Sequence, residues 1–143
     1  MIKIKLTRTI KGNDLTNEFN EKYESMENLK EILTEGKGDM KLESDLEDWE
    51  YFLEHPEEKY TQEMIIHDEK PSFSQTDLEI LNLVKNENPS SISELSVMMG
   101  KDIGNVAKNV NKLKEKGLIG LEEGKIHNTK TPVFNYDKIE IAI

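Results

Sequence analysis

The chain has 143 residues, a formal net charge of −10, 35% hydrophobic residues and 34% charged residues. That length holds one compact domain with an extension or two very small domains, and so lean a hydrophobic content points to a thin, helix-rich, well-solvated part beside a conventional small core. With no cysteine, disulfides, thiolate metal sites and thiol nucleophiles are excluded and a reducing cytoplasm is the expected compartment; no segment approaches the roughly 20 apolar residues of a membrane helix.

Charge is uneven. Residues 1–100 hold 11 basic and 23 acidic residues, whereas residues 101–143 hold 8 and 6. The densest acidic stretch runs over 43–69, where Lys59 is the only lysine. Such blocks serve as solvated faces or as docking surfaces for a basic partner. Arg8 is the only arginine in the chain, so nothing after it offers the planar fork with which arginine reads guanine.

In chain order, Ile2, Ile4 and Leu6 alternate with Lys3 and Lys5, the period-2 pattern of a half-buried strand. Ile139, Ile141 and Ile143 mirror it at the other end around Glu140. The two terminal strands are therefore expected to pair, within one chain or across a dimer. From Asn13 to about Leu33, the spacing of Leu15, Phe19, Tyr23, Met26 and Leu33 predicts one amphipathic helix, with a break at Gly36 and Gly38. Ser44 and Glu47 form a capping-box pair for a second helix, with Leu46, Trp49 and Leu53 as its apolar stripe, Phe52 beside them and Pro56 as its stop. Residues 57–72 fit a short helix, a short strand or a covering loop.

Patterns are stronger from residue 73. Phe73, Ser74, Asp77 and Leu78 occupy N′, N-cap, N3 and N4 of a helix whose buried face is expected to be Leu78, Leu81 and Val84, with Ile80 nearby. Ser91 and Glu94 open a short helix with Ile92, Leu95 and Met98 or Met99 inward, and Gly100 turns the chain. Asp102 caps a third helix with Ile103, Val106, Val110 and Leu113 on its inner face, ended by Gly117. "GLIGLE" and "TPVFNY" follow as a hairpin. Helix, short helix, turn, longer helix and hairpin is the order of a winged helix-turn-helix.

These residues, above all "SISELSVMMGKDIGNVAKNVNKLKEKGLIGLEEG", resemble the winged-helix domain of MarR-type transcription regulators over 73–136. "MIKIKL" and the ending "YDKIEIAI" resemble a group of small regulators of archaea and bacteria taken to bind DNA. The resemblance implies an α+β, mainly helical fold: a winged helix-turn-helix domain over 73–143, including the C-terminal strand, preceded by a strand and acidic helical extension over 1–72. It implies a homodimeric DNA-binding transcription regulator, with helix 102–116 in the major groove of double-stranded DNA and the extension supplying dimerisation or partner binding. Asn105, Lys108 and Asn109 are then the candidates for base edges, since asparagine pairs with adenine and lysine reaches guanine acceptors or phosphate. Lys101 and Lys112 suit phosphates, Ser91 and Ser93 could place hydroxyls and helix-end N–H groups on a phosphate, and Lys125, His127 and Lys130 belong to the wing. The alternative is a winged-helix protein-interaction module, antitoxin-like or an adaptor of the transcription machinery, that docks a basic partner through acidic residues 43–69.

Enzymatic readings find no foothold. His55, His67 and His127 lack metal-ligand spacing, and no nucleotide-binding glycine loop or nucleophile elbow occurs. No metal, cofactor or catalytic residue is expected.

Overall fold

A computed structural model of the chain describes residues 1–124 and 128–143. Among these the fold is α+β and about half helical: β1 (Ile2–Lys11), α1 (Gly12–Tyr23), α2 (Met26–Thr34), α3 (Met40–Glu54), β2 (Lys59–Asp68), α4 (Gln75–Glu87), α5 (Ile92–Met99), α6 (Ile103–Glu115), β3 (Gly120–Glu123), β4 (Lys130–Val133) and β5 (Lys138–Ala142). One small antiparallel sheet has the strand order β2-β1-β5, and β3 and β4 form another. The terminal strands pair within the chain, Lys3 opposite Ala142 and Leu6 opposite Ile139. Two compact units are present: residues 1–7 with 64–143, and residues 8–63.

The first unit is built on one apolar cluster. Ile4 and Leu6 of β1 join Ile80, Leu81 and Val84 of α4, Leu95 of α5, and Val106, Val110 and Leu113 of α6. The helix ends follow local chemistry. Ser74 and Asp77 complete a reciprocal capping box at α4, which satisfies two otherwise orphaned backbone donors. Gly100 takes a positive φ of 65° after α5, and the N–H of Lys101 returns to the carbonyl of Ser96, a turn in which a side chain would strain the backbone. Two expected core positions are corrected. Leu78 is exposed, because Ile80 supplies the inward side chain in that turn, and Ile103 is exposed because it lies in the first turn of α6, beyond the reach of the core.

The second unit encloses Leu15, Phe19, Tyr23, Leu29, Trp49 and Phe52. The single helix expected over 13–33 is two helices. Tyr23 and Ser25 close a γ-turn over Glu24, whose φ is 69° and ψ −47°, and Ser25 caps α2 by accepting the N–H of Asn28 at 3.1 Å. Phe19 of α1 and Leu29 of α2, on either side of the break, enter the same cluster. α3 starts at Met40, not at Ser44, because Asp39 accepts the N–H of Leu42 at 3.0 Å and leaves Ser44 exposed inside the helix. Its buried face carries Asp45, Trp49 and Phe52, and Leu53 faces solvent. Trp49 is a core residue, its ring centroid 5.7 Å from that of Phe19. Residues 59–68, left open between helix, strand and loop, form β2.

Candidate nucleic-acid interface

The outward face of α6 follows from the helical period. Val106, Val110 and Leu113 set the inner side. Gly104, Lys108, Asn111, Lys112 and Glu115 fall opposite, with Asn105 and Asn109 on one flank and Ile103 and Ala107 on the other. Between the capping Asp102 and Glu115 the helix has no acidic residue. A shallow concavity along this side counts Gly104, Lys108, Asn111 and Lys112 among its lining residues.

The expected phosphate-binding lysines are engaged with their own unit. The Lys101 ammonium donates to Thr76 Oγ1 at 3.1 Å and lies 3.7 Å from Glu79. Lys112 Nζ is 3.9 Å from Asp77 Oδ2. That carboxylate is only 1% exposed and accepts the N–H of Ser74 at 3.0 Å. Its Oδ1 has no hydrogen-bond partner among the described residues. Lys108 is exposed and forms no ion pair among the described residues. Asn105 is exposed as well; its backbone N–H donates to Asp102 Oδ2 at 3.3 Å, while its side-chain amide has no partner among the described residues.

At the start of α5, Ser91 Oγ accepts the N–H of Glu94 at 3.0 Å. Ser91 and Glu94 have the spacing of a capping box, but the second bond does not form: the Glu94 carboxylate turns to Ser90 instead, accepting from its hydroxyl and its N–H. These bonds hold the Glu94 carboxyl below its ordinary pKa, the hydroxyl bond first. A negative charge thus already occupies this helix end, next to the exposed Ser93, and would oppose a phosphate there.

β3 and β4 pair with Glu122 opposite Thr131 and Glu123 opposite Lys130. Lys130 forms an ion pair with Glu123, and Thr131 Oγ1 donates to the carbonyl of Ser90 at 2.8 Å, tying the hairpin to the start of α5. The other two hairpin candidates, Lys125 and His127, lie outside the described residues.

Residues 72–141 match the family model HVO_A0114. The match covers just under half of the chain; it begins two residues before Ser74 and ends inside β5. No curated protein matches the chain, and no solved structure does. The stretch similar to HVO_A0114 carries every residue named above as a candidate contact, from Ser91 to Lys130.

Charge also divides with the units. Residues 8–63 hold seven basic and seventeen acidic residues, whereas residues 1–7 with 64–143 hold twelve of each. The whole of the −10 therefore belongs to the second unit, and the unit that contains the HVO_A0114 stretch is neutral. Among the described residues no group of three or more His, Cys, Asp or Glu side chains could hold a metal ion, and no helix is long and apolar enough to cross a membrane. In α6, Ile103 is the position that the sequence pattern mistook: its i, i+3, i+7 relation to Val106 and Val110 marks it as core, and only the burial of the folded chain turns it into surface.

Proposed function

We propose that the chain is a sequence-specific DNA-binding transcription regulator acting as a homodimer. In this reading α4, α5, α6 and the β3–β4 hairpin form a winged helix-turn-helix, α6 lies in the major groove and the hairpin is the wing. One observation carries it: α6 buries Val106, Val110 and Leu113 and turns Gly104, Lys108, Asn111 and Lys112 the other way, with no carboxylate between Asp102 and Glu115. A surface free of negative charge over three turns suits a polyanion, and asparagine and lysine supply the groups that read base edges. The neutrality of this unit in so acidic a chain supports the same reading.

The number of available cations is small, which makes a monomer a weak binder; two copies on a two-fold site double the phosphates neutralised. A gel-shift titration against DNA upstream of the protein's own gene, at two salt concentrations, tests the proposal. Specific binding that disappears in the double variant Asn105→Ala, Lys108→Ala is expected. Wild-type protein with no affinity for duplex DNA even at low salt sinks it, and a monomer mass by light scattering at tens of micromolar would remove the dimer.

A second reading draws on the other unit. Its seventeen acidic residues, with Tyr51 and Leu53 exposed beside them on α3, suit a protein-interaction module docking a basic partner. The salt titration separates the two readings, because only the first gives α6-dependent affinity for DNA.

A further inference from the structure

We infer that the duplex site is rich in A·T pairs and that Ile103 is a specificity-determining residue, packing against a thymine methyl group. The inference rests on the DNA-binding reading above. Ile103 is 49% exposed, while the later members of its apolar series, Val106, Val110 and Leu113, are at most 1% exposed. It is the first residue of α6, and the N-terminal residues of a recognition helix are the ones that meet base edges. An isoleucine there contributes nothing to phosphate binding. Its chemistry matches the one apolar feature of the major groove, the C5-methyl of thymine. Independently, Asn105 on the other flank of α6 carries an amide that can bridge N6 and N7 of adenine.

Most of the groups that would read guanine are engaged elsewhere. Arg8 is the chain's only arginine, and it belongs to the other unit. There Nη1 and Nη2 donate to the Glu18 carboxylate at 2.9 and 2.8 Å, and Nε donates to Gln62 Oε1 at 2.6 Å. The fork is filled, and the side chain is only 14% exposed. Lys101 is turned to Thr76 and Glu79, and Lys112 stands beside Asp77. In the first two turns of α6 Lys108 alone remains to meet a guanine acceptor, against Asn105, Asn109 and Ile103, which favour A·T pairs.

Selection of bound duplexes from a random pool by the full chain at low salt tests this. Thymines in the selected site are then replaced one at a time by deoxyuridine, which removes the methyl and nothing else. An A·T-rich site is expected, with a position in each half-site where loss of the methyl weakens wild-type binding by about fourfold, the worth of one buried methyl-sized group. Ile103→Ala should be insensitive to that replacement, and Ile103→Val should keep the sensitivity. A G·C-rich site, no methyl-sensitive position, or equal sensitivity in Ile103→Ala would each overturn the inference and leave DNA binding standing. Failure to retain any duplex would overturn both.

Discussion

The phenol of Tyr23 donates a 2.5 Å hydrogen bond to Oδ2 of Asp45, and the two side chains are 6% and 4% exposed. Twenty-two residues separate them, yet the bond joins α1 to α3 at the centre of the acidic unit. Lys22 Nζ lies 3.6 Å from the same oxygen, and Lys41 Nζ donates to Oδ1 at 3.2 Å. One buried carboxylate thus has three partners, as the cost of desolvating a charge requires.

Tyr23→Phe should destabilise residues 8–63 by about 2 kcal/mol, the range for a hydrogen bond to a charged group. Urea unfolding followed by the fluorescence of Trp49 checks it. Trp49 is the chain's only tryptophan and its ring lies 6.2 Å from that of Tyr23, so the signal reports this unit directly. An unchanged midpoint would mean that the phenol contributes nothing.

The same bond sets an alkaline limit. Burial, and then the bond to Asp45, raise the Tyr23 phenol above its ordinary value of 10.0. The folded state therefore holds the proton that the unfolded chain releases near that pH. The stability linked to Tyr23 is fully present below pH 10 and is lost as pH rises toward the folded value. Urea midpoints measured across this range should fall in the wild type and show a smaller fall in Tyr23→Phe.

Glu24→Gly should stabilise the same unit by about 1 kcal/mol. Glu24 sits at φ 69° and ψ −47° in a γ-turn, a conformation that costs a side-chain-bearing residue about 1–3 kcal/mol and that glycine adopts readily, part of the gain being offset by glycine's greater backbone entropy. A rise in the urea midpoint by Trp49 fluorescence is expected; a fall would show that the turn is unstrained.

If α6 binds the duplex, Lys108→Ala should lower the slope of log affinity against log salt by about 1, the loss of one phosphate contact. Lys101→Ala should lower it less, because that ammonium is shared with Thr76 and Glu79. Equal effects in gel shifts over a salt series would contradict this ranking.

Local chemistry made much of the fold legible. The Ser74 and Asp77 box, the Asp102 cap, Gly100 and Gly117, and the alternation of Ile4 and Leu6 each act within a few residues of themselves, and all appear where the pattern places them. Ser44 shows the limit of such signals. Ser44 and Glu47 satisfy a capping box in spacing, but Asp39 offers the same bond earlier and brings Leu42 against the aromatic cluster. The break at Glu24 has no glycine or proline to announce it, and it lies between two residues, Phe19 and Leu29, that are buried in one cluster.

The candidate interface divides in the same way. Which residues α6 carries, and which side of it is apolar, is written in a 3.6-residue period that survives any packing. The availability of its lysines is not, because Lys101, Lys112 and Lys116 meet Glu79, Asp77 and the carbonyl of Ser72 from other parts of the chain. By itself the sequence determined α4, α5 and α6, their N-caps and the alternation of the terminal strands, since these depend on neighbours along the chain. Only the tertiary structure decided that Ile103 is surface, that Arg8 is held by Glu18 and Gln62, and that all the net charge falls within residues 8–63. Burial and ion pairing depend on groups distant in sequence, and no local pattern encodes them.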